Sequence, residues 1–72
     1  MEEYKERMVK EYTELRERYT KLHEMLIKHD AGQLEFKLNC PIGLLREQAS
    51  IMERYLNILE MRAIIEKVEG IV

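Results

Sequence analysis

The fold class this 72-residue sequence predicts is all-α: an antiparallel two-helix hairpin that assembles into a homo-oligomeric helical bundle. Three observations predict it. Apolar residues recur at helical spacing along two long stretches. One short segment, bounded by Gly32 and Pro41, separates those stretches. The second stretch carries two apolar seams side by side, more than a single partner helix can cover.

The first helix is expected over about 2–30. Met8, Tyr12, Leu15, Tyr19, Leu22 and Leu26 alternate in steps of four and three, a heptad seam with Tyr12, Tyr19 and Leu26 at the a positions. Glu3–Arg7, Glu6–Lys10, Glu14–Arg18, Glu17–Lys21 and Glu24–Lys28 are i,i+4 pairs with the acid leading, the favourable order. Acidic residues open the helix while Lys28 and His29 close it, matching the helix dipole, and Gly32 is the natural stop.

A connector over about 31–40 follows. Leu34, Phe36 and Leu38 alternate with Gln33, Glu35 and Lys37, the pattern of an extended stretch with one apolar side. Either it folds over the end of the hairpin or it pairs with its twin in another subunit as a short β-ribbon. Pro41 is expected at the first position of the second helix, holding Cys40 extended as a buried cap. This helix should run over about 41–69, with Gly70 ending it. Each helix is then roughly 28 residues, or about 42 Å. Equal lengths and a short connector predict an antiparallel hairpin.

The two seams of the second helix are Leu44, Gln48, Ile51, Tyr55, Ile58, Arg62, Ile65 and, beside it, Leu45, Ala49, Met52, Leu56, Leu59, Ala63. A chain this short, with Cys40 as its only cysteine and hence no disulfide, has self-association as its remaining source of stability. A dimer forming a four-helix bundle is the simplest closed form, and the double seam equally supports a tetramer or larger ring.

A formal charge of −2, with charged residues at 36% and interleaved in sign, argues against a general DNA or RNA binder. A lone cysteine, the absence of a long apolar run and an acidic start suit a cytoplasmic protein without a membrane span or signal peptide. Catalysis finds little support: His23 and His29 lie on different sides of the helix, no nucleophile stands at helical spacing from a histidine, and no metal or cofactor is implied. Met8 and Met52 read as core, whereas Met25 and Met61 fall where hairpins could touch.

The polar residues within the seams are the candidate site: Tyr12, Tyr19 and the adjacent Arg16 on the first helix, and Gln48, Tyr55 and Arg62 on the second. A buried tyrosine needs a partner for its hydroxyl, and a guanidinium in an apolar row needs an acceptor. Two accounts stand. In one, these groups satisfy one another or carboxylates such as Glu14 or Glu66, and fix register and subunit number. In the other they line a pocket between subunits, where tyrosines stack a base, Arg16 and Arg62 pair with phosphates and Gln48 reads an edge. On the second account, Arg62→Ala abolishes capture while the oligomer persists.

The second half reads Cys40-Pro41-Ile42, Leu44-Leu45, Gln48, Met52, Tyr55-Leu56, Ile58-Leu59, Arg62-Ala63, Ile65-Glu66. Together with the tyrosine-rich first half and the Asp30-Ala31-Gly32 turn, this resembles a family of small helical phage accessory proteins related to a crAss-like phage gene product, near the Sequestin-type anti-defence sponges. The resemblance spans nearly the whole chain and carries no assigned functional residues. It implies a non-enzymatic protein of the host bacterial cytoplasm that sequesters a nucleotide immune signal, of cyclic ADP-ribose or cyclic-oligonucleotide type, from Thoeris or CBASS defence. The alternative is a homo-oligomeric adaptor or inhibitor that binds a host protein, and a plain coiled-coil spacer would bind neither.

Overall fold

A computed structural model describes residues 2–72. Two helices make up its regular structure, α1 (Glu3–Asp30) and α2 (Ile42–Ile65). They lie antiparallel, as the cross-links between them show: Tyr12 meets Glu60, Tyr19 meets Glu53, and near the connector Arg46 meets Asp30. The hairpin is a rod of 44 × 18 × 16 Å.

α1 forms where the heptads and charges predict it. Of the five expected i,i+4 ion pairs, Glu3–Arg7, Glu14–Arg18 and Glu17–Lys21 lie within 4.0 Å. All are exposed and each contributes little. The helix closes in a Schellman turn: Gln33 N–H reaches back to Lys28 O at 2.8 Å, and Gly32 sits at φ 73°. Glycine takes that left-handed conformation without the Cβ clash other residues suffer.

Three local expectations are corrected. Pro41 stands at the cap itself, at φ −59° and ψ 138°, so α2 begins one residue later at Ile42. Cys40 is exposed rather than a buried cap. α2 ends at Ile65, four residues short of the expected Glu69. Here a second Schellman turn forms around a non-glycine: Val68 N–H bonds Ala63 O at 2.8 Å while Lys67 takes φ 57°. Its physical reason is Val68. In a continued helix Val68 would lie about a third of a turn off the Leu56 line, away from α1. Ending the helix early turns Val68 into the core at 4% exposure. Lys67→Gly is therefore expected to raise stability by about 0.5–1 kcal/mol, relief of left-handed strain exceeding the entropy glycine adds to the unfolded chain. A higher urea midpoint at unchanged slope checks it.

The main core cluster consists of Met8 and Tyr12 from α1, Leu56, Leu59 and Ala63 from α2, and Val68 from the tail, with Val9, Leu15, Tyr19 and Ile71 packed around them, and Leu26 and Ala49 are buried outside it. Leu59 alone among the described side chains is both large and fully enclosed. The two seams of α2 thus separate. The Leu45–Ala63 seam faces α1, whereas its neighbour is left open: Leu44 is 59% exposed, Ile51 54%, Ile58 50% and Ile65 77%. The connector follows no strand among the described residues; Leu34 and Leu38 are half-buried and Phe36 is exposed.

Candidate functional site

Tyr12, Arg16 and Tyr19 recur at i, i+4 and i+7, so α1 presents them along one edge of its core-facing side. Opposite them α2 offers Glu53, Asn57, Glu60, Met61 and Ile64, and the tail closes one end with Ile71 and Val72. Together these residues line an open groove of about 830 Å³. That volume falls within the range of small-molecule sites.

The polar groups of this groove are ordered by hydrogen bonds across the hairpin. Tyr12 is buried, and its hydroxyl donates to Glu60 Oε2 at 2.6 Å. Tyr19 donates to Glu53 Oε2 at 3.4 Å, and its ring stacks on His23 with centroids 5.7 Å apart and planes 17° from parallel. Arg16 has no carboxylate within ion-pairing distance among the described residues, and its guanidinium stands beside the Tyr12–Glu60 bond. The groove therefore combines two carboxylates engaged as acceptors with one uncommitted cation. A ligand with hydroxyl or amino donors at one end and an anionic group at the other matches that arrangement.

The other three candidate residues lie on the opposite face. Tyr55 donates to Glu11 Oε1 at 2.7 Å, on the side where α2 leaves its second seam open. Arg62 is exposed and bound to Glu66, with Nε to Oε2 at 2.7 Å. Gln48 is exposed and borders a small hollow with Leu44, Glu47, Ile51 and Met52. One hairpin thus brings together Tyr12, Arg16 and Tyr19 but not Gln48, Tyr55 or Arg62. Satisfaction by carboxylates is the arrangement found for all three tyrosines and for Arg62, with Glu66 among the acceptors foreseen. Of the two candidate arginines, Arg16 is the one without a carboxylate partner among the described residues. Glu53, Asn57 and Glu60 escaped the sequence reading, which ranked polar residues by interruption of a seam, whereas these three flank one.

These bonds shift proton affinities. The hydrogen bond to Glu60, then burial, raise the Tyr12 phenol, against a smaller opposing pull from Arg16. Tyr55 is raised first by its bond to Glu11, and Tyr19 first by burial. Arg62 and Glu66 hold each other charged, the guanidinium raised and the carboxyl lowered. A phenol whose folded pKa lies above its unfolded value of about 10 stabilises the fold below that pH and loses the contribution as pH rises through the folded value. The hairpin is accordingly expected to lose helicity above pH 10, and Tyr12→Phe to flatten that loss. Circular dichroism followed alongside tyrosinate absorbance checks both.

No described helix is long and apolar enough to cross a membrane. Nothing among curated proteins or solved structures matches this chain. A family model described as Sequestin matches residues 2–65, which take in all of α1 and all of α2 and hence both walls of the groove. On that match, over most of its length, the chain belongs to the Sequestin family.

Proposed function

We propose that this protein is a phage-encoded, non-enzymatic sponge: a homo-oligomer that binds a nucleotide immune signal of cyclic ADP-ribose or cyclic-oligonucleotide type and withholds it from Thoeris- or CBASS-type defence. Membership of the Sequestin family supports a sequestering role toward a small molecule. The observation that carries the reading is the groove in which Arg16, the one guanidinium there, has no carboxylate partner among the described residues while Tyr12 and Tyr19 stand on either side of it along α1. A phosphate pairs with Arg16, a base lies against the tyrosine rings, and ribose hydroxyls or an exocyclic amino group donate to Glu53 and Glu60. Asn57 offers an amide able to read a base edge. Met61, Ile64 and Val72 leave the rim apolar and more than half exposed, so a neighbouring subunit closing over the ligand would bury them. Gln48, Tyr55 and Arg62 lie on the opposite face, beside the open seam of α2, which a tetramer or ring would use as a second contact.

Titration calorimetry against cyclic ADP-ribose isomers, cyclic dinucleotides and linear mononucleotides tests the reading. Stoichiometric heat with one cyclic class, and recovery of that nucleotide intact after denaturation, is expected. No heat with any of them, or recovery of a cleaved product, sinks it. The exposed Met61 and Ile64 also suit the alternative, a contact with a host protein. A stoichiometric protein partner retained from host lysate, in a preparation that gives no heat with nucleotides, would favour that alternative.

A further inference from the structure

A second hollow lies on the outer side of Arg16. Thr13, Glu17, Lys21 and Glu24 of α1 line it with Gly70 of the tail, and its volume is about 490 Å³. It shares Tyr12, Arg16, Thr20 and Ile71 with the groove between the helices. The two recesses are thus neighbours across one wall, and the contacts proposed above all fall in the inner one.

Helix geometry builds that wall. Tyr12, Arg16, Thr20 and Glu24 follow one another at i,i+4, so each is turned about 40° from the one before. The row therefore winds from the core-facing side, where Tyr12 is buried, toward the solvent side, where Glu24 is exposed. Arg16 and Thr20 occupy its middle, on the crest between the recesses. The tail reaches the same crest at Ile71, which packs against the core cluster.

The crest suits an anion. Lys21 is paired with Glu17 at 3.2 Å, which leaves Arg16 as the uncommitted cation of the outer recess too, among the described residues. The Thr13 hydroxyl donates to Val9 O at 2.9 Å, whereas that of Thr20 makes no hydrogen bond among the described residues. A phosphate on the crest can thus take a guanidinium from Arg16 and a hydroxyl from Thr20, one turn apart. Beyond it, Glu24 has no cation within ion-pairing distance among the described residues, so its carboxylate is open to hydroxyl donors. One anionic group satisfies the crest, and each side of it then offers room for one half of a ligand. Both volumes fall within the range of small-molecule sites. A mononucleotide fills one recess only.

We infer that the bound nucleotide straddles α1: its phosphate sits on Arg16 and Thr20, one ribose-bearing half lies in the inner groove, and the other lies in the outer recess against Thr13 and Glu24. The preferred class is two ribose-bearing halves joined through phosphate, over any mononucleotide. Thr20 is a phosphate ligand alongside Arg16, and Thr13 sets how large an outer half is accepted. This arrangement rests on the nucleotide-binding function proposed above.

Amide shift mapping of the native protein with cyclic ADP-ribose, cyclic di-AMP and AMP tests it. A two-halved probe that binds is expected to move amides on both sides, Glu53 and Asn57 within the groove and Thr13, Glu17 and Lys21 outside it. Thr13→Phe, which fills the outer recess from an exposed helical position, should weaken that probe's binding about tenfold and leave AMP within about twofold. Helicity should hold, since the two residues have similar helix propensities. Thr20→Val should weaken the two-halved probe about fivefold, the size of one neutral hydrogen bond, and Thr20→Ser should restore it. Shifts confined to the inner set, native affinity in Thr13→Phe, or AMP binding as tightly as both two-halved probes overturns the straddling arrangement while nucleotide capture stands. Silence with all three probes removes nucleotide binding and the straddling arrangement together.

Discussion

Leu59→Ala is expected to unfold the hairpin under conditions where the native chain is folded. Leu59 is the one large described side chain with no solvent exposure, and it lies at the centre of the cluster joining both helices and the tail. Removing three buried carbons from such a site costs about 2–5 kcal/mol, the transfer loss plus the cavity left behind. A domain of this length has a total stability of only about 4–11 kcal/mol at the usual amount per residue. No disulfide limits the unfolded chain, and few neighbours can shift to fill the void in a two-helix core. The substitution should therefore remove most of the urea midpoint seen by circular dichroism. Ile58→Ala, one position away but 50% exposed, should leave the hairpin fold of an isolated subunit nearly unchanged. Equal losses at the two positions would mean that the core lies elsewhere.

Arg16→Ala is expected to weaken nucleotide capture by about 10- to 100-fold, the loss of a charge-assisted contact to a phosphate. The choice of Arg16 over Arg62 is electrostatic. Arg62 is already neutralised by Glu66 at 2.7 Å, and its competing ligand would have to displace a carboxylate. Arg16 shares its groove with Glu53 and Glu60, but both accept from tyrosine hydroxyls and neither pairs with it. Arg16→Lys should recover part of the loss, because the charge returns without the planar fork that holds two phosphate oxygens. Arg18→Ala, on the same helix but paired with Glu14 outside the groove, should change nothing in capture. Calorimetry on the four proteins distinguishes a groove contact from a general effect of charge.

Much of the hairpin was legible because both helices obey one rule along their whole length. The heptads of α1, the Gly32 stop and the proline before α2 each place a boundary within a residue of where it falls. The end of α2 was not legible, because glycine is the usual marker of a left-handed stop and Gly70 drew the reading past Lys67. What decided that end is burial of Val68, a tertiary effect with no local signature. The site divides in the same way. Tyr12, Arg16 and Tyr19 share a face by helical spacing, so the sequence brings them together. Glu60 and Glu53 were within reach of the same reasoning: positions 12 and 60, and 19 and 53, are equidistant from residue 36, the middle of the connector. Folding the chain there pairs Tyr12 with Glu60 and Tyr19 with Glu53, but not Tyr55 with Glu11, which are equidistant from residue 33. That Gln48, Tyr55 and Arg62 face away from the groove follows from how α2 is rotated about its axis, which two competing seams left undetermined.

The tail after Ile65 lies beyond the 2–65 match, yet it supplies Val68 to the core and Ile71 and Val72 to the groove wall. The helices fix the width of the recess and the tail fixes how far it extends. Two members of the family sharing α1 and α2 but differing after residue 65 would thus offer recesses of unequal length. Grafting one tail onto another hairpin would be a direct way to exchange ligand preference while both helices stay untouched.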